Sequence, residues 1–396
     1  MSGGGGSGRP LGVAQFIETM DVGGAEHLAV KVAGALAARG HASHLIVATG
    51  PGPLSPRIDP AVRTHYLGFV RASVRNPPAF AWSVSRGLRH LGGVIRSEGL
   101  EVIQTHLPGA NFWGLALSLR GTCGVVATVH NNEEFRYGDH DSRLLRAARR
   151  AAYGQIVRRC GVVAVSAAVK ESLARQLRLG EALAARIAVV PNAVPQPAAL
   201  AAADRALVRE RWGVAPGEVL LLAAGRFTAQ KNFGDLVEVA GRLAAAGVAF
   251  RLVIAGDGEE RPALQARAAA AGLADRVLMP GNLADLDRVM GAADVFVMSS
   301  LWEGLPLVLL EAMAAGLPVA AYAIDGVREV VSDGASGLTV PAGDAGALAD
   351  ALAALARDPG LRQRLGTGAG AVVRERYSFD ALVDRLEACY RQAAGV

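Results

Sequence analysis

Lysine is scarce in this chain. Of 41 Lys and Arg residues only Lys31, Lys170 and Lys231 are lysine. A compact ammonium kept at so few places marks those positions for inspection, since arginine is the default cation here. Cysteine is sparse as well. Cys123, Cys160 and Cys389 are odd in number, far apart and without a CxxC spacing. That excludes a disulfide framework and a zinc ribbon and fits a reducing compartment. Aromatics are 5 % of residues, which leaves the core to small aliphatics. No run of 18 apolar residues occurs, and the most apolar stretch is broken by Pro306, Glu311 and Pro318. No membrane-spanning helix is expected. Residues 1–10 are rich in Gly and Ser and lack the apolar centre of a signal peptide, so they read as a flexible tail on a cytoplasmic protein. There is no GxGxxG and no GxxxxGK[ST], which disfavours a nicotinamide enzyme and a P-loop ATPase. The net charge of +5 is modest for 396 residues, and no nucleic-acid partner is expected.

What is present is alternation. The runs LGVAQFI, SHLIVAT, EVIQTH, GVVATVH and GVVAVS read as buried parallel strands, each followed by a helical pattern. A second series follows: EVLLLAAG, AFRLVIAG, RVLMPG, DVFVMSS, LPVAAY and SGLTVP. Strands alternating with helices imply βαβ units. The fold class is therefore α/β, with two Rossmann-like, doubly wound parallel-sheet domains. The Pro-rich VVPNAVPQPAALAAADRA separates the two series as a linker. It sets domains at 11–195 and 196–377, with a last amphipathic helix at 378–393. All eight histidines precede residue 141, so imidazole chemistry belongs to the first domain.

In open α/β sheets ligands bind beyond the carboxyl ends of the strands, and the informative residues cluster there. GRFTAQKNF follows a strand and opens a helix. Arg226 and Lys231 beside that helix start suit a diphosphate; the alternative is two solvated charges. IAGDGEE repeats the arrangement, with Gly256 and Gly258 allowing close backbone approach to a ligand. In SSLWEGLPLVLLEAMAAGLPV, Glu303 falls in a loop before a helix opened by Pro306. Glu311 lies near that helix's first turns. Two acceptor-only groups beside Gly304, Leu305 and free backbone N–H groups suit a polyhydroxylated ligand. ETMDVGGAEHL puts Gly23 and Gly24 at another helix start, as a phosphate or sugar wall or as a plain tight turn. His130 ends a strand at its carboxyl edge, where it can bond a hydroxyl or move a proton. His106 is a weaker candidate of the same kind, and Asn111 is grouped with it on the acceptor or sugar side.

A required metal is not expected. The DxD-like Asp139–Asp141 and Asp285–Asp287 do not follow strand ends cleanly, and Asp285 reads as a helix cap. His41 and His44 lack a carboxylate or third ligand nearby in sequence. The run SRLLRAARRAAYGQIVRR reads as a basic amphipathic helix. Leu144, Leu145, Ala148, Ala152 and Ile156 share one arc, and Arg143, Arg146 and Arg150 lie opposite. Its basic face is either merely solvated or rests on anionic lipid.

EGLPLVLLEAMAAGLPV resembles the E-x7-E signature of retaining glycosyltransferases of family 4, with Glu303 and Glu311 at its ends. GRFTAQKNF is similar to that family's GR…K element. GGAE, the T-x-H of Thr128 and His130, VVPNAV, IAGDGEE and GVREVVSDGASGLTVPAGD also match, in order, over nearly the whole chain. The resemblance implies a GT-B architecture facing a central cleft, with a nucleotide-sugar donor on the second domain, the acceptor on the first and the last helix packing back on the first. It implies that Arg226 and Lys231 hold the diphosphate and Glu311 the ribose. It places Glu303 on the sugar hydroxyls, His130 near the reacting sugar and Gly23–Gly24 near the phosphates. No cofactor is implied beyond the donor substrate, UDP-sugar ahead of GDP-sugar. The acceptor is a sugar, a lipid-linked intermediate or a small molecule, in polysaccharide, glycolipid or glycoconjugate synthesis. DGVRE departs from the familiar pattern, with Gly326 alone and Glu329 in the acidic place. The rival readings are a nucleotide-sugar 2-epimerase of the same fold and a non-catalytic nucleotide-sugar-binding protein.

Overall fold

A computed structural model describes residues 9–70, 76–135 and 143–396. Two units divide the chain, one of residues 1–191 and 380–396, the other of residues 192–379. The first runs β1 (Gly12–Ile17), α1 (Gly24–Ala38), β2 (Ala42–Val47), β3 (Arg63–Tyr66), α2 (Pro77–Ser97), β4 (Val102–His106), α3 (Leu107–Ser118) and β5 (Gly124–Val129). It continues with α4 (Arg143–Arg159), β6 (Gly161–Ala164), α5 (Ala167–Leu177), α6 (Glu181–Ala184) and β7 (Ile187–Val189). The second runs α7 (Ala202–Arg211), β8 (Val219–Ala224), α8 (Phe233–Ala245), β9 (Phe250–Ala255), α9 (Arg261–Ala270), β10 (Val277–Gly281), α10 (Leu286–Ala292) and β11 (Val295–Met298). After these come α11 (Leu307–Ala314), β12 (Val319–Tyr322), α12 (Asp325–Arg328), β13 (Gly337–Val340), α13 (Ala345–Arg357) and α14 (Pro359–Arg376). The chain ends in α15 (Phe379–Ala394).

Both sheets are parallel. Their orders are β3-β2-β1-β4-β5-β6-β7 and β10-β9-β8-β11-β12-β13. The central strands are buried along their whole length, as in VLLLAA of β8. Helices cover both faces of such a sheet, so these strands read as continuous apolar runs. Each sheet has a switch in strand order, between β1 and β4 in the first and between β8 and β11 in the second. Loops leaving the carboxyl ends on the two sides of a switch splay apart and leave a crevice.

The segment read as a linker begins as core. Val190, Asn192, Ala193 and Val194 are at most 4 % exposed, and Val194 bridges Ser378. A buried backbone needs partners, and this stretch finds them.

The last helix belongs to the first unit. Arg39 reaches Asp384 at 2.5 Å and Glu387 at 3.2 Å. Buried Tyr390 accepts from Gln15 Nε2 at 3.1 Å and donates to Gln104 Oε1. Tyr390→Phe removes the partner of Gln15 Nε2 and of Gln104 Oε1 inside the buried network. It is expected to lower stability by about 1–3 kcal/mol, read as a drop in the urea midpoint. An unchanged midpoint would contradict this account of the helix's attachment.

A candidate donor site at a topological switch

The second unit's switch carries the residues of highest interest. The loop after β8 holds Arg226 and Lys231, and the loop after β11 holds Glu303. Lys231 Nζ donates to Glu303 Oε1, with both side chains at least four-fifths buried. Three further bonds stitch the loops together. Ser299 Oγ donates to Lys231 O at 2.9 Å, Gln230 Nε2 to Trp302 O at 2.9 Å, and Leu301 N to Gln230 O at 2.9 Å. Lys231 is thus held by its backbone and its tip. The Arg226 side chain is exposed and makes no polar contact among the described residues. Pro306 caps the start of α11, where the first backbone N–H groups have no helical acceptor. Glu311 sits half-buried on its second turn. Gly304 and Leu305 are buried, and Asn192 Nδ2 donates to Leu305 O at 2.7 Å.

Asn192, Gln230 and Ser299 were not singled out from sequence. Only VVPNAV hinted at Asn192; the others lie in motifs whose interest was placed on neighbours.

Several glycines are required here by close packing of one turn on another. A Cβ at Gly256 would lie 1.9 Å from Gly225 O, and one at Gly258 would lie 2.5 Å from Phe227 O. The IAGDG turn therefore packs backbone to backbone on the GRF turn. Gly326 has a related duty, since a Cβ there would sit 2.6 Å from Gly304 O and 3.0 Å from Glu303 O. The single glycine of DGVRE lies where α12 presses on the Glu303 loop. Glu329 O accepts from Tyr377 OH at 3.1 Å.

The first unit's switch gathers Gly23, Gly24 and His106. Gly23 is the N-cap of α1, and a Cβ there would meet Glu26 Oε2 at 2.2 Å. An anion at this turn would therefore meet a buried carboxylate. His106 ends β4, and Leu107 follows in the left-handed region at φ 69°, a conformation that costs about 1–3 kcal/mol and concentrates at functional sites. His106 Nε2 donates to Gln15 Oε1 at 2.8 Å, and His130 Nε2 donates to His106 Nδ1 at 3.0 Å. Gln15 takes its orientation from Tyr390, which fixes both tautomers. His130 is left with Nδ1 as an acceptor. Burial lowers its pKa to about 4, and burial with the facing His130 lowers that of His106 well below the usual value. Both rings are neutral at pH 7.

Asn111 is wholly buried. It accepts from Thr105 at 2.6 Å and donates to Thr128 O at 3.0 Å and Tyr153 OH at 3.2 Å. Tyr153 in turn donates to Glu134. Asn111 is therefore tied into the interior rather than presented to a ligand. Burial raises the Glu134 pKa to about 7. The folded state then holds a proton that the unfolded state has lost above pH 4.5. Stability from this group is full below that pH and falls as pH rises through 7. The slope is at most about 1.4 kcal/mol per pH unit. Denaturation midpoints taken from pH 4.5 to 8 should show this fall, and Glu134→Gln should flatten it. An equal slope in the variant would contradict it.

Asp285 is the N-cap residue of α10, but its carboxylate pairs with Arg211 at 2.7 Å instead of capping. Asp139–Asp141 lie outside the described residues. The three thiols are free.

Two family models match the chain. "Glycosyltransferase Family 4" covers residues 22–196 and "Glycosyl transferases group 1" covers residues 204–371. The D-inositol 3-phosphate glycosyltransferase of Xylanimonas cellulosilytica is 32 % identical over 95 % of this chain and 93 % of its own length. The chain belongs to glycosyltransferase family 4. The alpha-D-kanosaminyltransferase of Streptomyces kanamyceticus is 34 % identical, over 48 % of this chain; the match spans only half of that relative. Among solved structures, sucrose-phosphate synthase of Thermosynechococcus elongatus superposes with a TM-score of 0.81 at 22 % identity, covering 97 % of this chain and 99 % of its own. HepE of Anabaena, solved with UDP and glucose, gives 0.80 at 19 %, covering 96 % and 99 %. These likenesses show the GT-B fold of two Rossmann-like units for this family 4 member.

Proposed function

We propose that this family 4 glycosyltransferase moves a sugar, with retention, from a nucleotide-sugar to a hydroxyl acceptor. The acceptor is a saccharide, lipid-linked or small-molecule alcohol in polysaccharide, glycolipid or glycoconjugate synthesis. The observation that carries the reading is the Lys231–Glu303 pair across the β8/β11 switch, with Arg226 and the α11 start beside it. One Nζ proton of Lys231 is spent on Glu303, and the other two are available for the diphosphate, which Arg226 approaches from the surface. Glu303 keeps one oxygen for a sugar hydroxyl, and Glu311 takes the ribose hydroxyls. A uridine nucleotide is favoured over a guanosine one, and the UDP seen in the HepE structure agrees with that order.

In the reaction the C1–O bond to the diphosphate breaks and a C1–O bond to the acceptor forms on the same face. The acceptor's proton passes to a donor phosphate oxygen. Arg226, Lys231 and the helix start stabilise the charge left on the diphosphate, usually the largest catalytic contribution. Neutral His130 keeps an Nδ1 lone pair with which to accept from a substrate hydroxyl. Incubation with UDP- and GDP-sugars, with and without alcohol acceptors and with EDTA present, tests the reading. Acceptor-dependent release of the free nucleotide diphosphate is expected. Conversion of the donor without acceptor would show an epimerase, and binding without turnover a non-catalytic protein.

Contact with an anionic membrane belongs to the same proposal, on a corrected helix face. In α4, Tyr153, Ile156 and Val157 are buried, whereas Leu145 is 46 % exposed and Ala148 is exposed. The Leu144 side chain lies outside the described residues. The apolar arc read from sequence thus continues past the point where the core ends, leaving Leu145 exposed on one side of the helix and Arg143, Arg146 and Arg150 exposed on the other. Arg149 is half-buried and already engaged. Among the described residues no helix is long and apolar enough to cross a membrane. Each arginine near an anionic surface contributes about 1 kcal/mol. Co-sedimentation with anionic liposomes is expected at low salt, and both high salt and a triple Arg143, Arg146, Arg150→Gln variant should lose it. Equal sedimentation of both proteins, or of neither, would remove the lipid contact.

A further inference from the structure

Among the described residues one group of three metal-ligating side chains converges, at the β2–β3 edge of the first sheet. In the β2–β3 register His44 lies opposite Arg63, and Ile46 lies opposite His65. Side chains alternate along a strand, so His44, Arg63 and His65 share one face. Glu98, the C-cap of α2, closes over that face. His44 Nδ1 is 3.0 Å from His65 Nε2, the rings are stacked, and one ligand atom from each of the three residues lies within 4.8 Å of the others. His44 is 1 % exposed. The sequence reading found no third ligand for His44 because the partners come from residues 65 and 98, on two other elements.

We propose that His44, His65 and Glu98 bind a divalent transition-metal ion of the zinc type. Two imidazoles and a carboxylate are the donor set of zinc, cobalt and nickel rather than of magnesium or calcium. With metal–nitrogen distances of about 2.0–2.1 Å, nitrogens at this separation subtend roughly 95° at the ion, and a tetrahedral angle needs them only about 0.3 Å further apart. The two facing nitrogens share one proton in a hydrogen bond, which an ion seated between them displaces. Arg63 and His90 add positive field, and Arg63 donates to Glu98 Oε2 at 3.0 Å. The other oxygen, Oε1, is left for the ion. A metal here ties the four-residue edge strand β3 to β2 and to the end of α2. Its role is structural and separate from the donor site.

The test is calorimetric titration of the whole chain with Zn²⁺, with Co²⁺ absorption as the spectroscopic probe. Wild type should bind one ion per chain, give the visible bands of a low-coordinate cobalt site and gain Tm on adding Zn²⁺. His65→Gln and Glu98→Gln should each weaken binding at least tenfold and lose both the bands and the Tm gain. Circular dichroism matching wild type would show that both variants fold; Glu98→Gln, at a half-exposed helix end, is the safer of the two. Absence of stoichiometric binding, or binding and a Tm gain that survive both substitutions, would overturn the proposal.

Discussion

Lys231→Ala is expected to slow sugar transfer by roughly tenfold to more than a hundredfold. A charge-assisted hydrogen bond contributes about 1.5–3 kcal/mol, and each 1.4 kcal/mol is a factor of ten. The substitution also leaves Glu303, whose side chain is 10 % exposed, without its cation. Breaking such a pair from one side costs more than removing both partners. Lys231→Ala should therefore lose stability, and adding Glu303→Gln should restore much of it without restoring turnover. Stability and rate then move independently, as they must if Lys231 acts on the diphosphate as well as on Glu303. Wild-type turnover by Lys231→Ala would remove it from the donor site. Recovery of activity in the double variant would reduce the pair to a structural one.

Gly256→Ala should be among the most damaging single-methyl changes in the second unit. The backbone there has φ +133°, and the added carbon would lie 1.9 Å from the Gly225 carbonyl. Strain of about 1–3 kcal/mol adds to overpacking of about 1–3 kcal/mol. The total is roughly 2–6 kcal/mol, and it falls on the turn that carries Arg226. Gly241→Ala is the control. It lies inside α8, where a Cβ meets only Leu273 Cδ1 at 4.0 Å. Alanine should be neutral or stabilising there by up to about 1 kcal/mol. Equal denaturation midpoints for the two variants would contradict the packing described for the two turns.

The fold was legible where burial is two-sided. EVLLLAAG and GVVATVH announce themselves because central parallel strands need apolar residues on both faces. β3 and β7 escaped because edge strands are short and half-covered; RTHY carries exposed Arg63 and Tyr66 and offers no apolar run. The arc on α4 failed for a related reason. Periodicity reports which residues could face a core, not how far along the helix a core extends.

At the site, residue types at strand ends singled out Arg226, Lys231 and Glu303. Their pairing across 72 positions depends on strand order, which no local pattern contains. The same limit hid Asn192 behind Leu305 and Glu98 beside His44 and His65. The interior duty of Asn111 was hidden too, because its partners Thr105, Thr128 and Tyr153 belong to three different elements.

The most direct measurement is calorimetric titration of UDP and GDP into wild type, Arg226→Ala and Lys231→Ala. The account predicts that wild type binds UDP more tightly than GDP, and that each substitution weakens the preferred nucleotide at least tenfold while the folded spectrum is kept. No binding of either nucleotide by folded wild type, or equal affinity in all three proteins, would contradict a donor site built on the loops after β8 and β11.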